Sequence, residues 1–215
     1  MGAILLLPSL FLATMGLIHL RNGLAVNSAF PVPLDLSINE PLPRAAYSDA
    51  VSALHNADIH DGNIQLSFAE ARVHAGEKSA NVISQIEEGL AHAPTSAEGW
   101  ASYAEALAPV NANKAAQALD QAFTLAPYDI FWAGRRVQLA ARIWNYLGGD
   151  AKDEAIRQTH MLWDEPTFRN EIFVLSTTST GIKLLTRAYA KDPDTLRAIN
   201  RWISAQQRRL QSQKP

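Results

Sequence analysis

Residues 94–127 read PTSAEGWASYAEALAPVNANKAAQALDQAFTLAP, and the expected architecture follows from their spacing. Alanine dominates the stretch, and residues 109–113 separate two amphipathic halves. Alanine has the highest helix propensity, and its small side chain lets neighbouring helices approach closely. The stretch therefore predicts two packed helices joined by a short turn.

An internal repeat supports this interpretation. The segment GLAHAP ends at Pro94 and the similar segment AFTLAP ends at Pro127, so the two prolines stand 33 residues apart, since 127 − 94 = 33. Each proline follows one amphipathic stretch and precedes another. A fixed period of this length predicts a stack of similar helical units.

The pattern resembles the tetratricopeptide repeat, a helix-turn-helix unit of about 34 residues whose second helix is closed by a proline. The residues that carry the resemblance are Trp100, Tyr103, Ala104 and Leu107 in the first helix, Ala115, Leu119, Ala122 and Pro127 in the second, and Pro94 at the end of the preceding unit. The turn is one residue shorter than the family's. The resemblance implies that the small residues let the helices pack and that the large ones fill the space between them.

Weaker copies flank this unit. The upstream copy consists of Leu66, Ala69, Val73, Val82, Ile86 and Gly89, and it departs from the pattern at Glu70. The downstream copy consists of Trp132, Val137, Ala140, Ala155 and Leu162, with a turn at residues 148–150 and a stop at Pro166. One more helix is expected over residues 44–58. The predicted fold is all-α, a tetratricopeptide-like helix-turn-helix solenoid over residues 44–166.

Residues 167–215 are predicted to form capping helices. A short helix is expected over residues 167–176, Thr178 or Thr180 is expected to cap the next one, and Asp192-Pro193-Asp194 is a favourable helix start. The last helix has a basic face formed by Arg197, Arg201, Arg208 and Arg209. Elsewhere Arg135, Arg136, Arg142 and Arg157 are expected on an exposed helix face, and Phe131, Trp132, Trp144 and Trp163 mainly in the core.

The N-terminal segment predicts a contact with the membrane. Residues 2–20 contain no charged side chain and would extend ~28 Å as a helix, close to the ~30 Å hydrocarbon thickness of a bilayer. Residues 1–22 are therefore a transmembrane anchor or a signal segment, and residues 23–43 a proline-rich tether. The absence of Lys or Arg before the apolar run favours an anchor over a cleaved signal peptide. A single-pass protein of the inner membrane with a periplasmic domain is expected, although Arg21 argues for the opposite orientation.

The sequence offers no assembled catalytic or metal site. The chain has no cysteine, which excludes disulfides and thiolate chemistry. His55, Asp58, His60 and Asp61 match no metal-ligand spacing, and the run of hydroxyl residues from 176 to 180 fits helix capping. We expect no enzyme activity, no cofactor and no metal.

The charge distribution is uneven along the chain. The net charge of −2 divides into −8 for residues 1–134 (5 Lys/Arg, 13 Asp/Glu) and +6 for residues 135–215 (14 Lys/Arg, 8 Asp/Glu). A nucleic-acid partner is not expected, because no reader motif accompanies the basic residues.

The resemblance implies that another protein binds to a concave face formed by the first helix of each repeat. The corresponding positions are Glu98, Ala101, Glu105, Ala108, Phe131 and Gln138. They lack the Lys, Arg and Asn of the carboxylate-clamp subtype, so an amphipathic helix or a folded domain is the expected partner. The favoured interpretation is a membrane-anchored scaffold in an envelope assembly for polysaccharide or secretion. The alternatives are a non-catalytic regulatory subunit of a membrane enzyme and a cytosol-facing module that docks on anionic lipid.

Overall fold

The computed structural model describes residues 43–54 and 61–212, and all regular structure in these two ranges is helical. Since neither range contains a strand, the all-α prediction is confirmed. The chain divides between Pro94 and Thr95 into two compact units.

The first unit contains three α-helices in its described part. Helix α1 is Arg44–Leu54, α2 is Gly62–His74 and α3 is Ile83–His92, with a 3-10 turn at Ser79–Val82 before α3. Helix α1 packs on α2 and α2 packs on α3. A Cβ on Gly62 would lie 2.5 Å from the carbonyl oxygen of Gly89, so the α2–α3 contact requires glycine at this position.

Two side-chain contacts hold the turn between α2 and α3. Gly76 has a φ of 104°, a conformation that favours glycine. Beside it, Arg44 Nε donates a hydrogen bond of 2.7 Å to the carbonyl oxygen of Ala75. Arg72 forms an ion pair of 2.6 Å with Glu77, which lowers the pKa of that carboxyl group. The N-terminus of α1 is thus tied to the end of α2.

The second unit contains seven α-helices among the described residues. They are α4 (Ala97–Leu107), α5 (Ala112–Leu125), α6 (Ile130–Ile143), α7 (Gly149–Asp164), α8 (Arg169–Ser176), α9 (Ser179–Ala188) and α10 (Pro193–Ser212). Short 3-10 turns at Trp144–Tyr146 and Pro166–Phe168 precede α7 and α8.

Side-chain caps explain where several of these helices begin. Five side chains accept hydrogen bonds from backbone N–H groups of the following helix: Ser96, Asn111, Asp129, Thr178 and Asp192. Of the two threonines considered for α9, Thr178 is the cap. Helix α10 begins at Pro193, as expected.

The helices of the second unit alternate between two rows. Helix α4 contacts α6 and α6 contacts α8, while α5 contacts α7 and α7 contacts α9. Consecutive helices also pack as hairpins, α4 with α5 and α6 with α7. The side chains of α4, α6 and α8 therefore lie next to one another.

Small residues fill the α4–α5 interface. Ala104, Ala115 and Ala122 are completely buried, and so is Leu119. Toward the C-terminus, a second apolar cluster joins α6 to α10 and consists of Ala133, Val137, Ala141, Leu162, Ile172, Leu175, Leu184, Leu185, Tyr189, Ile199 and Ile203. The capping helices predicted at the C-terminus thus share one core with α6 and α7.

Four expectations need correction. Phe131 was expected mainly in the core, yet 61% of it is exposed. Helix α5 begins at Ala112, so the first turn ends earlier than residue 113. The turn before α7 also comes early, because Gly149 is already helical and the 3-10 turn occupies Trp144–Tyr146. Arg136 was expected on an exposed face, yet only 1% of it is exposed.

Some predictions fall outside the described residues. Within the described ranges no helix is long and apolar enough to cross a membrane, and residues 2–20 lie outside them. His55, Asp58 and His60 also lie outside them, whereas Asp61 caps α2 by accepting hydrogen bonds from Asn63 N and Ile64 N.

Candidate partner-binding surface

Five of the six positions predicted to bind a partner lie at least partly on the surface. Phe131 is 61% exposed, and Glu98, Glu105, Ala108 and Gln138 are half-buried. Ala101 is the exception, since only 2% of it is exposed. Ala101 faces the interior of the unit and is removed from the candidate surface.

Helix α6 supplies the central stripe of this surface. Phe131, Arg135, Gln138 and Arg142 are spaced i, i+4, i+7 and i+11, which places them on one side of the helix. Only the first and third of these were predicted as partner-binding residues. Arg135 and Arg142 could have been found from the sequence, because helical periodicity places them on the same side of α6 as Phe131 and Gln138.

An ion pair connects this stripe to α4. Arg135 Nη2 lies 2.6 Å from Glu105 Oε2, and Arg142 Nη2 lies 4.0 Å from Glu105 Oε1. The Arg135 guanidinium also lies 4.9 Å from the centre of the Trp132 ring. Arg135 is held between a carboxylate and an aromatic ring, whereas the Arg142 side chain remains 58% exposed.

A hydrogen bond connects the stripe to α8. Gln138 Nε2 donates to Glu171 Oε2 at 3.0 Å. The Glu171 carboxylate lies directly against Gly134, where a Cβ would be 2.4 Å from Glu171 Oε2. Glycine at position 134 therefore lets the α8 carboxylate reach across α6.

An aromatic pair lies at the N-terminal end of the stripe. The rings of Phe131 and Phe168 meet edge to face with centroids 5.4 Å apart. Phe168 is partly buried against the apolar cluster, so it supports the exposed ring of Phe131 from below. The result is a firmly held apolar side chain on the surface.

We call the surface formed by Glu105, Phe131, Arg135, Gln138, Arg142, Phe168 and Glu171 the α4–α6–α8 surface. It combines a supported aromatic ring, two polar bridges between helices and an exposed arginine. Interfaces are enriched in such aromatic and arginine side chains. Glu98 belongs to α4, and Ala108 lies at the C-terminal end of that helix.

A partly buried polar cluster lies at the junction of α5, α6 and α7, and only Arg136 and Gln158 in it are fully buried. We define the Arg136 cluster as Arg136, Glu154, Arg157 and Gln158. Arg136 donates hydrogen bonds to the carbonyl oxygens of Ala122 (3.3 Å) and Asp129 (2.6 Å). Gln158 Nε2 donates to the carbonyl oxygen of Pro127 at 3.0 Å and to Glu154 Oε1 at 2.9 Å.

The pKa values of the two arginines in this cluster are shifted in opposite directions. Burial lowers the pKa of the Arg136 guanidinium, because charge is poorly solvated in the interior. The hydrogen bonds that Arg157 donates to the Glu154 carboxylate raise the pKa of Arg157, whose guanidinium also lies 4.6 Å from the centre of the Tyr128 ring. Together they fix the backbone of residues 122–129, from which α6 begins.

Comparison with protein-family models, with curated proteins and with solved structures finds no match.

Proposed function

We propose that this chain is a membrane-anchored, tetratricopeptide-like interaction module that holds another protein on its α4–α6–α8 surface. The observation that carries the proposal is the exposure of Phe131 and Arg142 on a stripe whose other two side chains are already bonded to neighbouring helices. A rigid aromatic anchor beside an exposed cation is typical of a protein-binding site.

The chemistry of the surface suits a partner segment with two features. An apolar side chain would pack against Phe131, and a carboxylate would approach Arg142. An amphipathic helix can present both on one face, and so can a folded domain. The bridges from Glu105 and Glu171 hold the stripe in place before binding, which reduces the ordering cost of association.

The repeat-like part of the proposal is supported by the two hairpins of the second unit. In both, the second helix packs on the first, and the corresponding helices of the two hairpins contact each other. This is the arrangement expected of stacked helix-turn-helix units.

The membrane part of the proposal is supported by the apolar run over residues 2–20. We place the chain in the inner membrane as a single-pass protein with its helical units in the periplasm. There it acts as a scaffold during assembly of an envelope complex for polysaccharide or secretion.

Co-purification from the native cell tests the binding surface. The full chain carries a tag, is reversibly crosslinked, and is compared with Phe131→Asp and Arg142→Glu. We expect Phe131→Asp to reduce recovery of one stoichiometric partner by roughly 30-fold, the effect of a 2 kcal/mol hot spot. The matched control is Thr124→Asp, on the exposed side of α5, and this variant should retain the partner. If both surface variants recover as much partner as the parent chain, the partner does not bind at the α4–α6–α8 surface.

Topology is tested separately with reporter fusions after residue 43 and at the C-terminus. Exported signals at both points are expected. Cytoplasmic signals would overturn the periplasmic location, and with it the proposed role in envelope assembly.

A further inference from the structure

The C-terminal hairpin carries cations that have no carboxylate partner. Residues 179–212 contain seven Lys or Arg and two Asp, a net charge of +5. Asp192 accepts a hydrogen bond from Thr195 N as a helix cap, and Asp194 is paired with Arg197. The remaining cations are exposed and form no ion pair with the residues the structure describes: Lys183, Arg187, Lys191, Arg201, Arg208 and Arg209.

Helix α10 presents its arginines away from the core. Arg197, Arg201 and Arg208 are spaced i, i+4 and i+11, opposite the buried side chains of Ile199 and Ile203. The stripe extends ~16 Å along the helix, from the rise of 1.5 Å per residue.

The end of α10 is only partly covered by the rest of the unit. From Ser204 to Ser212 no residue is buried, and Leu210 is 51% exposed. Leu210 continues the apolar stripe of Ile199 and Ile203 beyond the core, at i+11 and i+7 from them. Leu210 therefore lies on the side of α10 opposite Arg201 and Arg208, and the arginine side is the one that faces away from the core.

We propose that the C-terminal hairpin, through α10, docks on the headgroups of an anionic phospholipid bilayer. Cations spread along a helix fit the extended negative potential of a lipid surface better than they fit one carboxylate or phosphate. The inference rests on the proposed membrane anchor, which would keep the bilayer at a high effective concentration around the helical units.

Because the chain has no cysteine, a single label can report the approach of α10 to the bilayer. The full chain with Gln211→Cys carries a donor dye and is reconstituted singly in nanodiscs that contain an acceptor lipid. Energy transfer is compared between phosphatidylcholine discs and discs that also contain phosphatidylglycerol. We expect greater transfer with phosphatidylglycerol, and a decrease as added salt shortens the Debye length below ~8 Å.

Charge variants make the test specific. Arg201→Gln, Arg208→Gln and Arg209→Gln together should shift the docking equilibrium roughly 100-fold, from about five-fold per cation. The triple Arg→Lys variant should dock as the parent does, because the bilayer attracts charge without requiring guanidinium geometry. Asn200→Ala with Gln207→Ala is the uncharged control on the same helix and should change nothing.

Two results would overturn the docking proposal. One is energy transfer that does not depend on phosphatidylglycerol. The other is loss of docking in the lysine variant, which would indicate bidentate recognition of carboxylates on a protein or on a second copy of the chain.

A separate experiment tests whether the chain is anchored in the membrane. A chain released from native membranes by alkaline carbonate would refute the anchor. The docking proposal is then tested by binding of the full chain to phosphatidylglycerol vesicles, and the same charge variants decide it.

Discussion

The hairpins α4–α5 and α6–α7 have the same layout but different interiors. The first packs with alanine and leucine, and Ala104, Ala115, Leu119 and Ala122 are fully buried or nearly so. The second also buries Arg136, Gln158 and Thr159, each at 1% exposure or less. Two of these buried polar side chains, Arg136 and Gln158, form hydrogen bonds with the backbone that precedes the second hairpin.

The second hairpin binds the backbone of the turn before it. Arg136 donates a hydrogen bond to the carbonyl oxygen of Asp129 and Gln158 to that of Pro127, both in this turn, and Arg136 also donates to the carbonyl oxygen of Ala122 in α5. Buried carbonyl groups need such partners, and here long side chains from α6 and α7 supply them. The second hairpin therefore adds these polar contacts to its buried alanines, among them Ala133, Ala140 and Ala155.

The largest expected effect follows from removing the Arg136 guanidinium. Arg136→Met keeps the aliphatic stem but leaves the carbonyl oxygens of Ala122 and Asp129 without these donors, so we expect a loss of about 3 kcal/mol. Urea unfolding followed by tryptophan fluorescence measures it, since all five tryptophans lie after residue 94. Exposed Arg208→Met is the control, with a change within about 0.5 kcal/mol. Equal stability of the two variants would show that the Arg136 cluster does not support the second hairpin.

An intermediate effect is expected in the first hairpin. Ala122 is completely buried, so Ala122→Leu must displace neighbours and should cost about 2 kcal/mol. Gln121→Leu, one residue away on the exposed side of α5, adds comparable bulk and should cost little. If both variants unfold at the same urea concentration, the close packing of α4 and α5 is not what stabilises this hairpin.

The smallest effect is expected at the surface. Glu105→Gln weakens the ion pair with Arg135. The Glu105 side chain is 30% exposed and the Arg135 side chain is 18% exposed. Such partly solvated pairs contribute about 0.5 kcal/mol. The same urea titration should therefore barely shift, and a loss comparable to that of Arg136→Met would mean that the bridge is structural and not part of a binding surface.

The sequence predicted helices better than it predicted contacts. Alanine spacing, the prolines at 94 and 127 and the capping residues act locally, so they could be recognised without the fold. The burial of Arg136 could not, because arginine is rarely buried and its partner at Ala122 lies 14 residues away.

Only part of the candidate surface could be predicted, because some of its residues are brought together by the fold and not by local sequence signals. Phe131, Glu105 and Gln138 were implied by the resemblance to the tetratricopeptide repeat, and all three lie on the α4–α6–α8 surface. Phe168 and Glu171 come from a 3-10 turn and a short helix outside the predicted repeats, so only the packing of α8 on α6 reveals them. Ala101 was misplaced because α4 is buried over most of its circumference, and no residue of this helix is fully exposed.

Photo-crosslinking along the helices tests the central claim most directly. A photoreactive residue is placed at Phe131, Arg142 or Ala108 in the α4–α6–α8 row, and at Thr124 or Asp153 in the α5–α7 row, in the full chain in its native cell. We expect one discrete adduct from Phe131 and Arg142 and none from the α5–α7 row. Adducts formed from the α5–α7 row and not from Phe131 or Arg142 would contradict it.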